Sequence, residues 1–377
     1  MDINDYKAGF YEPHLEYRAF LPEEVCHEWL IADPELMDLL GKADRALCEL
    51  NAFSQLIPDI DFFIQMHVAK EATQSNKLEG TQTNIEEAFM NAEDLDPDER
   101  DDWSEVQNYI TAINQSIDNL ERLPIGNRLL CETHRTLMQG VRGENKQPGE
   151  FRRSQNWIGT SLKNAVFIPP HHEHVNRLMG DLEKFLHTQN FFVHPLIRIA
   201  ISHYQFETIH PFLDGNGRLG RLMISLYLAS ENLLSQPALY LSDYFERNKT
   251  SYIDHLMGVR DGNHLRAWLI FFLHGIEETA KASANAFKSI LSLKQRIDTE
   301  VMPHFTARRQ TNAQKLMRQL YQHPIIDIKR TTKLLETSTN TASVMIQDLI
   351  KHGVLKEVTG QKRNRFFIFS EYVSLFR

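Results

Sequence analysis

The sequence predicts a mainly α-helical protein with one small β-hairpin near its middle and a C-terminal domain of short helices that ends in a second hairpin. Three observations support this fold class. Apolar residues recur at helical spacing across 193–209 and again across 219–229. Two short apolar runs, 156–160 and 165–170, flank a polar tetrapeptide, which is typical of a hairpin. After Pro303, three amphipathic stretches alternate with short turns.

The other elements follow from local composition. Pro13, Pro22 and Pro34 mark an extended start, because proline fixes its own φ and lacks a backbone donor. Helix formers dominate from about Asp38 to Ala92, with an interruption at Pro58. Beyond this region we expect an acidic loop at 93–102 and then helices up to Met138. A glycine-containing loop at 142–150 follows, and two further helical stretches are expected at 264–280 and 281–302.

The composition indicates a soluble protein. Hydrophobic residues make up 42% and aromatic residues 10% of the chain, which is ordinary for a globular protein. No run approaches the roughly 18 uncharged apolar residues of a membrane-spanning helix, and the acidic, polar start does not resemble a secretory signal. Cys26, Cys48 and Cys131 lie far apart, without metal-ligand spacing. We therefore expect a cytoplasmic protein with reduced thiols.

The stretch His210–Arg221, HPFLDGNGRLGR, carries the strongest chemical signal. It interrupts the helical pattern, which then resumes at once, so it predicts a glycine-rich loop at a helix N-terminus. Free N–H groups and the helix dipole make such a loop an anion site. Gly215 and Gly217 let the backbone approach an anion, and Asn216 adds amide donors.

Four further side chains of this motif suit the transfer of a phosphate-containing group. His210 titrates near neutrality, Asp214 is a carboxylate suited to Mg²⁺, and Arg218 and Arg221 share one helix face. A base, a metal ligand, an anion site and two arginines are the parts that phosphoryl or nucleotidyl transfer needs. The alternative is a surface turn with incidental charges.

The motif resembles the signature HxFx(D/E)GNGRxxR of the Fic domain, an all-helical core with a small flap hairpin, at all eight specified positions. This resemblance implies transfer of AMP from ATP to a Tyr, Ser or Thr hydroxyl of a target protein and of the protein itself. It implies that His210 is the general base, that Asp214 holds Mg²⁺, and that Arg218 and Arg221 hold the β- and γ-phosphates. The implied nucleotide-binding residues in the motif are Gly215, Asn216, Gly217, Arg218, Leu219, Gly220 and Arg221.

A second stretch, SNKLEG at Ser75–Gly80, would place Ser75 and Glu79 on one helix face, with Gly80 at the terminus. Such a pair alone usually forms a solvated face. The stretch resembles the inhibitory motif (S/T)xxxE(G/N) of Fic proteins, however, which implies an inhibitory helix at about 60–80. By that resemblance Glu79 pairs with Arg221 in a bidentate, charge-assisted bond and occupies the space of the ATP γ-phosphate.

The resemblance also assigns the hairpin and the adenine pocket. The family has a flap at the position of the hairpin near 156–170, which holds a target segment by strand-to-strand hydrogen bonds; a purely structural hairpin is the alternative. The region around Tyr252 resembles the adenine-pocket pattern DRxxYYxxL, although Ile253 replaces the second aromatic residue.

Several histidines lie outside these motifs. His171, His172 and His174 follow a Pro-Pro pair, and a metal cluster is conceivable there. No thiolate or carboxylate sits at ligand spacing, so we favour an exposed turn without a specific role. His203 lies two helical turns before His210, and we expect it to pack or to form a hydrogen bond.

The C-terminal domain resembles a winged helix-turn-helix and differs in charge from the rest. Residues 301–377 contain 13 Lys and Arg against 5 Asp and Glu, a net charge of +8, whereas the rest of the chain carries −17. Lys329, Arg330 and a basic wing tip, Lys362–Arg365, could neutralise DNA phosphates, but a protein-docking or dimer module is equally open. The predicted helices and strands are 312–321, 328–336, 341–352, 354–358 and 365–369.

We therefore predict four parts: an N-terminal helical region 1–110 containing the inhibitory helix, a Fic domain 111–280, a linker helix 281–302 and a winged-helix-like domain 303–377. The favoured function is Mg²⁺-dependent AMP transfer from ATP, inhibited by Glu79. Two alternatives stay open, namely removal of AMP with Glu79 orienting a water, and a nucleotide-sensing regulator that binds DNA. We expect no membrane contact, and a homodimer is possible.

Overall fold

The computed structural model describes residues 1–57, 60–359 and 365–376, without the side chain of Arg308. Helices dominate this part of the chain, as the sequence predicts. In chain order they are α1 (Pro34–Leu56), α2 (Asp61–Leu78), α3 (Arg100–Asn119), α4 (Asn127–Leu137), α5 (His172–His187), α6 (Pro195–Ile209), α7 (Asn216–Ser230), α8 (Ser242–Arg247), α9 (Lys249–Gly262), α10 (Leu265–Arg296), α11 (Ala307–Gln322), α12 (Ile328–Leu335), α13 (Thr339–Lys351) and α14 (Ser370–Ser374).

The described strands form small antiparallel sheets at three separate places. Two of the sheets are hairpins, and the third has the strand order β5-β7-β6. The strands are β1 (Gly9–Pro13) with β2 (Arg18–Pro22), β3 (Ile158–Gly159) with β4 (Ala165–Phe167), and β5 (Ile325–Asp327), β6 (Lys356–Glu357) and β7 (Phe366–Ile368).

Helices α6 and α7 form the centre of the core. Every residue from Leu196 to Ile209 is buried, so α6 is enclosed on all sides rather than on one face. The indole N–H of Trp268 on α10 donates to the carbonyl of Ala200, at 2.8 Å. Because both helices are fixed along their length, the loop that joins them has anchored ends.

Helix α2 is held against α3 and α8 by buried polar contacts. The hydroxyls of Tyr109 and Ser242 donate to Oε1 of the buried Glu71, at 2.8 and 2.6 Å. At the end of α2, Lys249 donates to the carbonyl of Leu78, at 2.7 Å, which satisfies one of the carbonyls left unpaired by the helix. These contacts fix the position of the residues that follow Leu78.

Helix α2 ends beside Gly80, the terminus that the sequence indicates, although helix-forming residues continue to about Ala92. Glu79 ends α2, and Gly80 has a φ of +103°, which a helix cannot continue. The chain then forms only short 3₁₀ turns, at Glu87–Phe89 and Ala92–Asp94. Thr81, directly after Gly80, and Thr83 are β-branched residues, which lower the tendency of the chain to continue as a helix.

The N-terminal region is not purely helical, because it starts with the hairpin of β1 and β2. The backbone N–H of Phe20 in β2 donates to the carbonyl of Ile168, just after β4, at 2.9 Å. This bond links the N-terminal hairpin to the central hairpin across about 150 residues of sequence. Local patterns cannot reveal a contact of that separation.

The C-terminal domain has the element order α11, β5, α12, α13, β6, β7, which resembles a winged helix-turn-helix. Strand β5 is absent from the predicted set because three residues give no alternation to detect. Arg365 forms an ion pair with Glu357, and the other residues predicted as the wing tip, Lys362–Asn364, lie outside the described residues.

Helix α10 runs without a break through the predicted boundary between residues 280 and 281. It ends at Arg296, and a π-helical turn, Ile297–Val301, follows. Among the described residues, no helix has the length and apolar character that a bilayer crossing requires.

Candidate functional site

The motif loop is held in an unusual backbone conformation at both ends. His210 directly follows α6 with φ 51° and ψ 59°, a left-handed conformation that is uncommon for a non-glycine residue and is concentrated at functional sites. Gly215 has a φ of +75° and directly precedes α7. A Cβ there would lie 2.7 Å from Sδ of Met138, so the loop requires glycine at this position.

His210 has the properties of a general base. Its Nδ1 is buried and has no hydrogen-bond partner among the described residues. Burial, together with the positive charges of Arg152 and Arg260, lowers the pKa of His210 to about 4. The imidazole is therefore neutral at pH 7 and can accept a proton.

Arg152, which the sequence does not single out, holds the loop in place. Its side chain is buried and donates to the carbonyl of His210 at 2.9 Å, and to those of Pro170 at 2.5 Å and Ile209 at 3.3 Å. Burial lowers the pKa of Arg152 to about 10. Among the described residues no carboxylate pairs with it, so its charge is spread over backbone carbonyls. Arg152 thus ties the end of α6 to the base of the central hairpin.

Replacing Arg152 by Met will lower the free energy of unfolding by about 2–3 kcal/mol, because several buried carbonyls lose their donors at once. The matched control is Arg153→Met. Arg153 is exposed and forms a surface ion pair with Glu150, so its loss will change stability by less than about 0.5 kcal/mol. Equal effects of the two changes in denaturant unfolding would contradict this role for Arg152.

Two more side chains lock the loop backbone. Nδ1 of His134 accepts from the N–H of Gly149, so its Nε2 carries the proton and donates to the carbonyl of Asp214, at 2.9 Å. Oδ1 of Asn216 accepts from the N–H of Phe212 and its Nδ2 donates to the carbonyl of Phe212, both at 2.8 Å. Asn216 therefore uses its amide oxygen and one amide N–H to shape the loop, and its role as a donor to an anion stays a prediction.

Asp214 carries the carboxylate that we assign to a cation. Its Oδ2 lies 3.1 Å from Nζ of Lys146, and its Oδ1 accepts from the N–H of Gly215. Within the described ranges, no group of three or more His, Cys, Asp or Glu side chains forms a metal site, and this includes the histidines at 171–174. One partly exposed carboxylate fits Mg²⁺, which commonly takes one or two protein carboxylates and completes its shell with water and substrate phosphates.

Glu79 and Arg221 are in direct contact. Nη2 of the buried Arg221 donates to Oε1 of Glu79 at 2.7 Å, while its Nε donates to the hydroxyl of Ser75 at 2.9 Å. The ion pair uses one carboxylate oxygen, so the expected bidentate geometry is wrong; Nε and the second N–H of Nη2 donate to the hydroxyl and the carbonyl of Ser75 instead. Burial alone would raise the pKa of Glu79, but the charge of Arg221 outweighs it and lowers this pKa.

The Glu79 carboxylate also covers the glycine-rich turn. A Cβ on Gly217 would lie only 2.5 Å from Oε1 of Glu79. Glu79 therefore lies against the first turn of α7, where the N–H groups lack helical partners. A negative charge already occupies the place that the sequence assigns to phosphates.

Arg218 is not a free cation either. Its Nη1 donates to Oε2 of Glu105 on α3 at 2.9 Å, and the two side chains are only 4% and 3% exposed. The same Nη1 lies 3.5 Å from Oδ1 of Asn76 on α2. The sequence did not identify Glu105, because 113 residues separate it from its partner and no motif marks it. Both arginines of the motif are thus paired with carboxylates from the N-terminal helices.

Known proteins share this arrangement of helices and this motif. Residues 37–118 match the model described as Fic/DOC family N-terminal, and residues 124–228 match the model of the Fic/DOC family. Residues 124–228 thus form a Fic domain, preceded by a region that matches the N-terminal model of the same family. The first match contains Glu79 and Glu105, and the second contains the whole motif from His210 to Arg221.

Curated relatives and a solved structure extend this result. The chain is 27% identical over 251 residues to a protein adenylyltransferase Fic of Culex quinquefasciatus, covering 66% of this chain and 47% of the relative. It is 30% identical over 151 residues to one of Aedes aegypti, covering 40% of this chain and 27% of the relative. This chain thus spans less than half of either relative. A Fic family protein from Desulfovibrio desulfuricans G20 shares the fold, with a TM-score of 0.57 at 18% identity over 91% of this chain and 98% of that chain.

The two residues predicted to contact adenine, Tyr252 and Ile253, differ in how exposed their side chains are. Nδ1 of His203 donates to the carbonyl of Gly220 at 3.0 Å, so its Nε2 accepts from the hydroxyl of Tyr252 at 2.8 Å. His203 therefore forms hydrogen bonds, as the sequence predicts. Tyr252 is buried and stacks on Phe245, with ring centroids 4.4 Å apart, whereas Ile253 is 43% exposed. Of the two, only Ile253 offers an accessible apolar surface.

The central hairpin, formed by β3 and β4, is short and has apolar side chains on its surface. Ile158 pairs with Phe167 and Gly159 with Ala165. Trp157 and Val166 beside these pairs are exposed. The hairpin position agrees with the predicted range 156–170, and its target-binding role stays a prediction.

Proposed function

We propose that this Fic protein transfers AMP from ATP to a Tyr, Ser or Thr hydroxyl of a target protein, and to itself. The observation that carries the proposal is the neutral His210 at the start of a loop that leads into the N-terminus of α7. The names of the Culex and Aedes relatives support it.

In this reaction the hydroxyl oxygen of the target attacks the α-phosphorus of ATP. The bond between the α-phosphorus and the bridging oxygen breaks, pyrophosphate leaves, and the hydroxyl proton passes to His210. The N–H groups of the first turn of α7 would bind phosphate oxygens, as helix N-termini commonly do. When bound at Asp214, Mg²⁺ would neutralise part of the phosphate charge. Positioning and charge neutralisation carry most of the catalysis in this chemistry.

We further propose that Glu79 inhibits the reaction. Its carboxylate lies against Gly217 and pairs with Arg221, so it competes with the γ-phosphate for the same donors and repels it. Because 38% of the Glu79 side chain is exposed, it can leave without opening the core. In the alternative reaction, removal of AMP from a modified protein, the same carboxylate would orient the attacking water.

The direct test is intact-mass analysis of the purified chain after incubation with ATP and Mg²⁺. A mass increase equal to AMP, absent when ATP is replaced by ADP, supports transfer, because ADP lacks the pyrophosphate leaving group. No adduct on the chain carrying Glu79→Gly, together with loss of AMP from a pre-modified protein incubated with the wild-type chain, would support the removal reaction instead.

The pairing of Arg218 with Glu105 gives a stability prediction. Replacing Glu105 by Gln leaves Arg218 without a buried counter-charge, and the free energy of unfolding will fall by about 1–3 kcal/mol. The exposed Glu99 of the preceding turn is the matched control, and Glu99→Gln will have little effect. If Glu105→Gln leaves denaturant unfolding unchanged, this ion pair does not hold α3 on α7.

A further inference from the structure

A cleft of about 700 Å³ lies between the C-terminal domain and the helices that carry Glu79 and Glu105. One wall consists of α2, α3 and the segment 88–91, and the other of α11, β5 and α12. Its volume falls within the roughly 300–1,000 Å³ of small-molecule sites. None of the motif residues His210–Arg221 lines it, so it is separate from the proposed nucleotide site.

The cleft is preformed, because both walls are fixed. The indole N–H of Trp103 donates to the carbonyl of Glu87 at 3.1 Å, and the amide of Gln107 donates to that of Ala88 at 2.7 Å. These bonds hold the segment after Glu87 in place. Below the cleft, the ring of Phe63 on α2 packs against Tyr321 on α11, with centroids 5.2 Å apart. The two walls are therefore joined by packed aromatic rings rather than by a linker alone.

The cleft lining combines an apolar part with neutral polar side chains such as Gln107. Ile325 and Ile326 of β5 form one side, and Phe89 and Trp103 form the other. The rings of Phe89 and His323 approach edge to face across it, at 5.8 Å. Such a surface binds a flat or aliphatic body by removing apolar area from water.

The charged side chains that line the cleft in the described part of the chain are all positive. Arg330 and Lys333 of α12 line it, and no Asp or Glu among the described residues does. Nε of Arg330 lies 3.7 Å from Oδ2 of Asp327, too far for a hydrogen bond. Lys333 forms no ion pair within the described part of the chain. An anionic group entering the cleft would meet these two cations without displacing a close partner.

We propose that this cleft binds a small molecule with an apolar body and one anionic group, such as a carboxylate. One anionic group is enough, because Lys333 has no ion-pair partner among the described residues and Arg330 is only weakly paired with Asp327. The site lies beside α2 and α3, which hold the carboxylates of Glu79 and Glu105 over the motif arginines. It is nevertheless a binding site in its own right and does not depend on AMP transfer.

The probe for this site is 1-anilinonaphthalene-8-sulfonate, which combines an aromatic body with one sulfonate. Titrated into the full-length chain, it will show saturable fluorescence enhancement with one equivalent bound. Decanoate will displace it more effectively than decanol, which has the same chain length without the charge. Saturating ATP with Mg²⁺ will not displace it, because the nucleotide site lies elsewhere.

Variants locate the bound probe. Lys333→Met will weaken binding about three- to fivefold, as expected for one exposed charge, and Lys333→Glu will weaken it further. The matched control is Lys351→Met, an exposed lysine at the end of α13 that does not line the cleft; it will bind as the wild type does. Lys333 is exposed, so these variants will keep the wild-type melting temperature. Unchanged binding by Lys333→Glu, displacement by ATP, or equal competition by decanol and decanoate would overturn the proposal.

Discussion

His210→Ala will reduce AMP incorporation by at least about 100-fold, since positioned general bases contribute roughly 10²- to 10⁴-fold. The target hydroxyl then keeps its proton during attack, whereas the phosphate-binding groups of α7 are untouched. ATP affinity, measured by calorimetry in the Glu79→Gly background, will therefore stay close to its unsubstituted value. His304→Ala, at an exposed site before α11, is the matched control. Loss of ATP binding together with activity would show that His210 is structural.

The pH dependence of kcat/KM tests the same residue, because it reports the free enzyme. Burial and the charges of Arg152 and Arg260 lower the pKa of His210 to about 4, so the imidazole is neutral at every pH well above that value. We expect a flat profile from pH 8 to pH 6 and a decline only as the pH approaches 4. A decline centred near pH 6.5 would mean that His210 titrates as a solvent-exposed histidine.

Glu79→Gly will raise AMP incorporation by about 10- to 100-fold. One charge-assisted hydrogen bond to a buried guanidinium is worth about 1.5–3 kcal/mol, and this energy opposes the γ-phosphate as long as Glu79 is in place. The change also removes a negative charge beside Gly217. Radiolabel from α-labelled ATP, counted on the chain and on added target protein, measures the increase.

Two controls separate inhibition from damage to α2. Lys77→Ala alters the neighbouring exposed turn and its ion pair with Glu246, but not Arg221, and will leave incorporation unchanged. The double change Glu79→Gly with His210→Ala will be inactive, which ties the gained activity to the proposed base. A folded Glu79→Gly chain with wild-type incorporation would rule out the inhibitory role.

The sequence predicts what local patterns encode. Helical periodicity locates α6 and α7, and the motif between them is a continuous stretch, so the position of its loop follows from the order of residues alone. Ser75 and Glu79 are four residues apart, a spacing that places them on one helix face, and both contact Arg221. Their meeting with an arginine some 140 residues away follows from the family resemblance rather than from periodicity.

The features that the sequence does not predict depend on distant or isolated residues. Arg152 stands next to Arg153 in the sequence, and only burial distinguishes the residue that holds the loop from the one in solvent. Glu105 and His134 carry no motif, and their partners lie 113 and 80 residues away. The end of α2 at Gly80 agrees with the terminus that the sequence indicates, whereas the hydrogen bond from Lys249 to Leu78 that helps to fix it joins residues 171 positions apart.

Helix α10 has a mechanical consequence. Its 32 residues correspond to a rod of roughly 48 Å, at 1.5 Å per residue, that begins beside the Fic core and ends at an ion pair between Arg296 and Glu371 of the C-terminal domain. A rod of this kind cannot swing as a flexible tether does. The C-terminal domain is thus held at a set distance from the start of α10, so it does not sample many positions around the core.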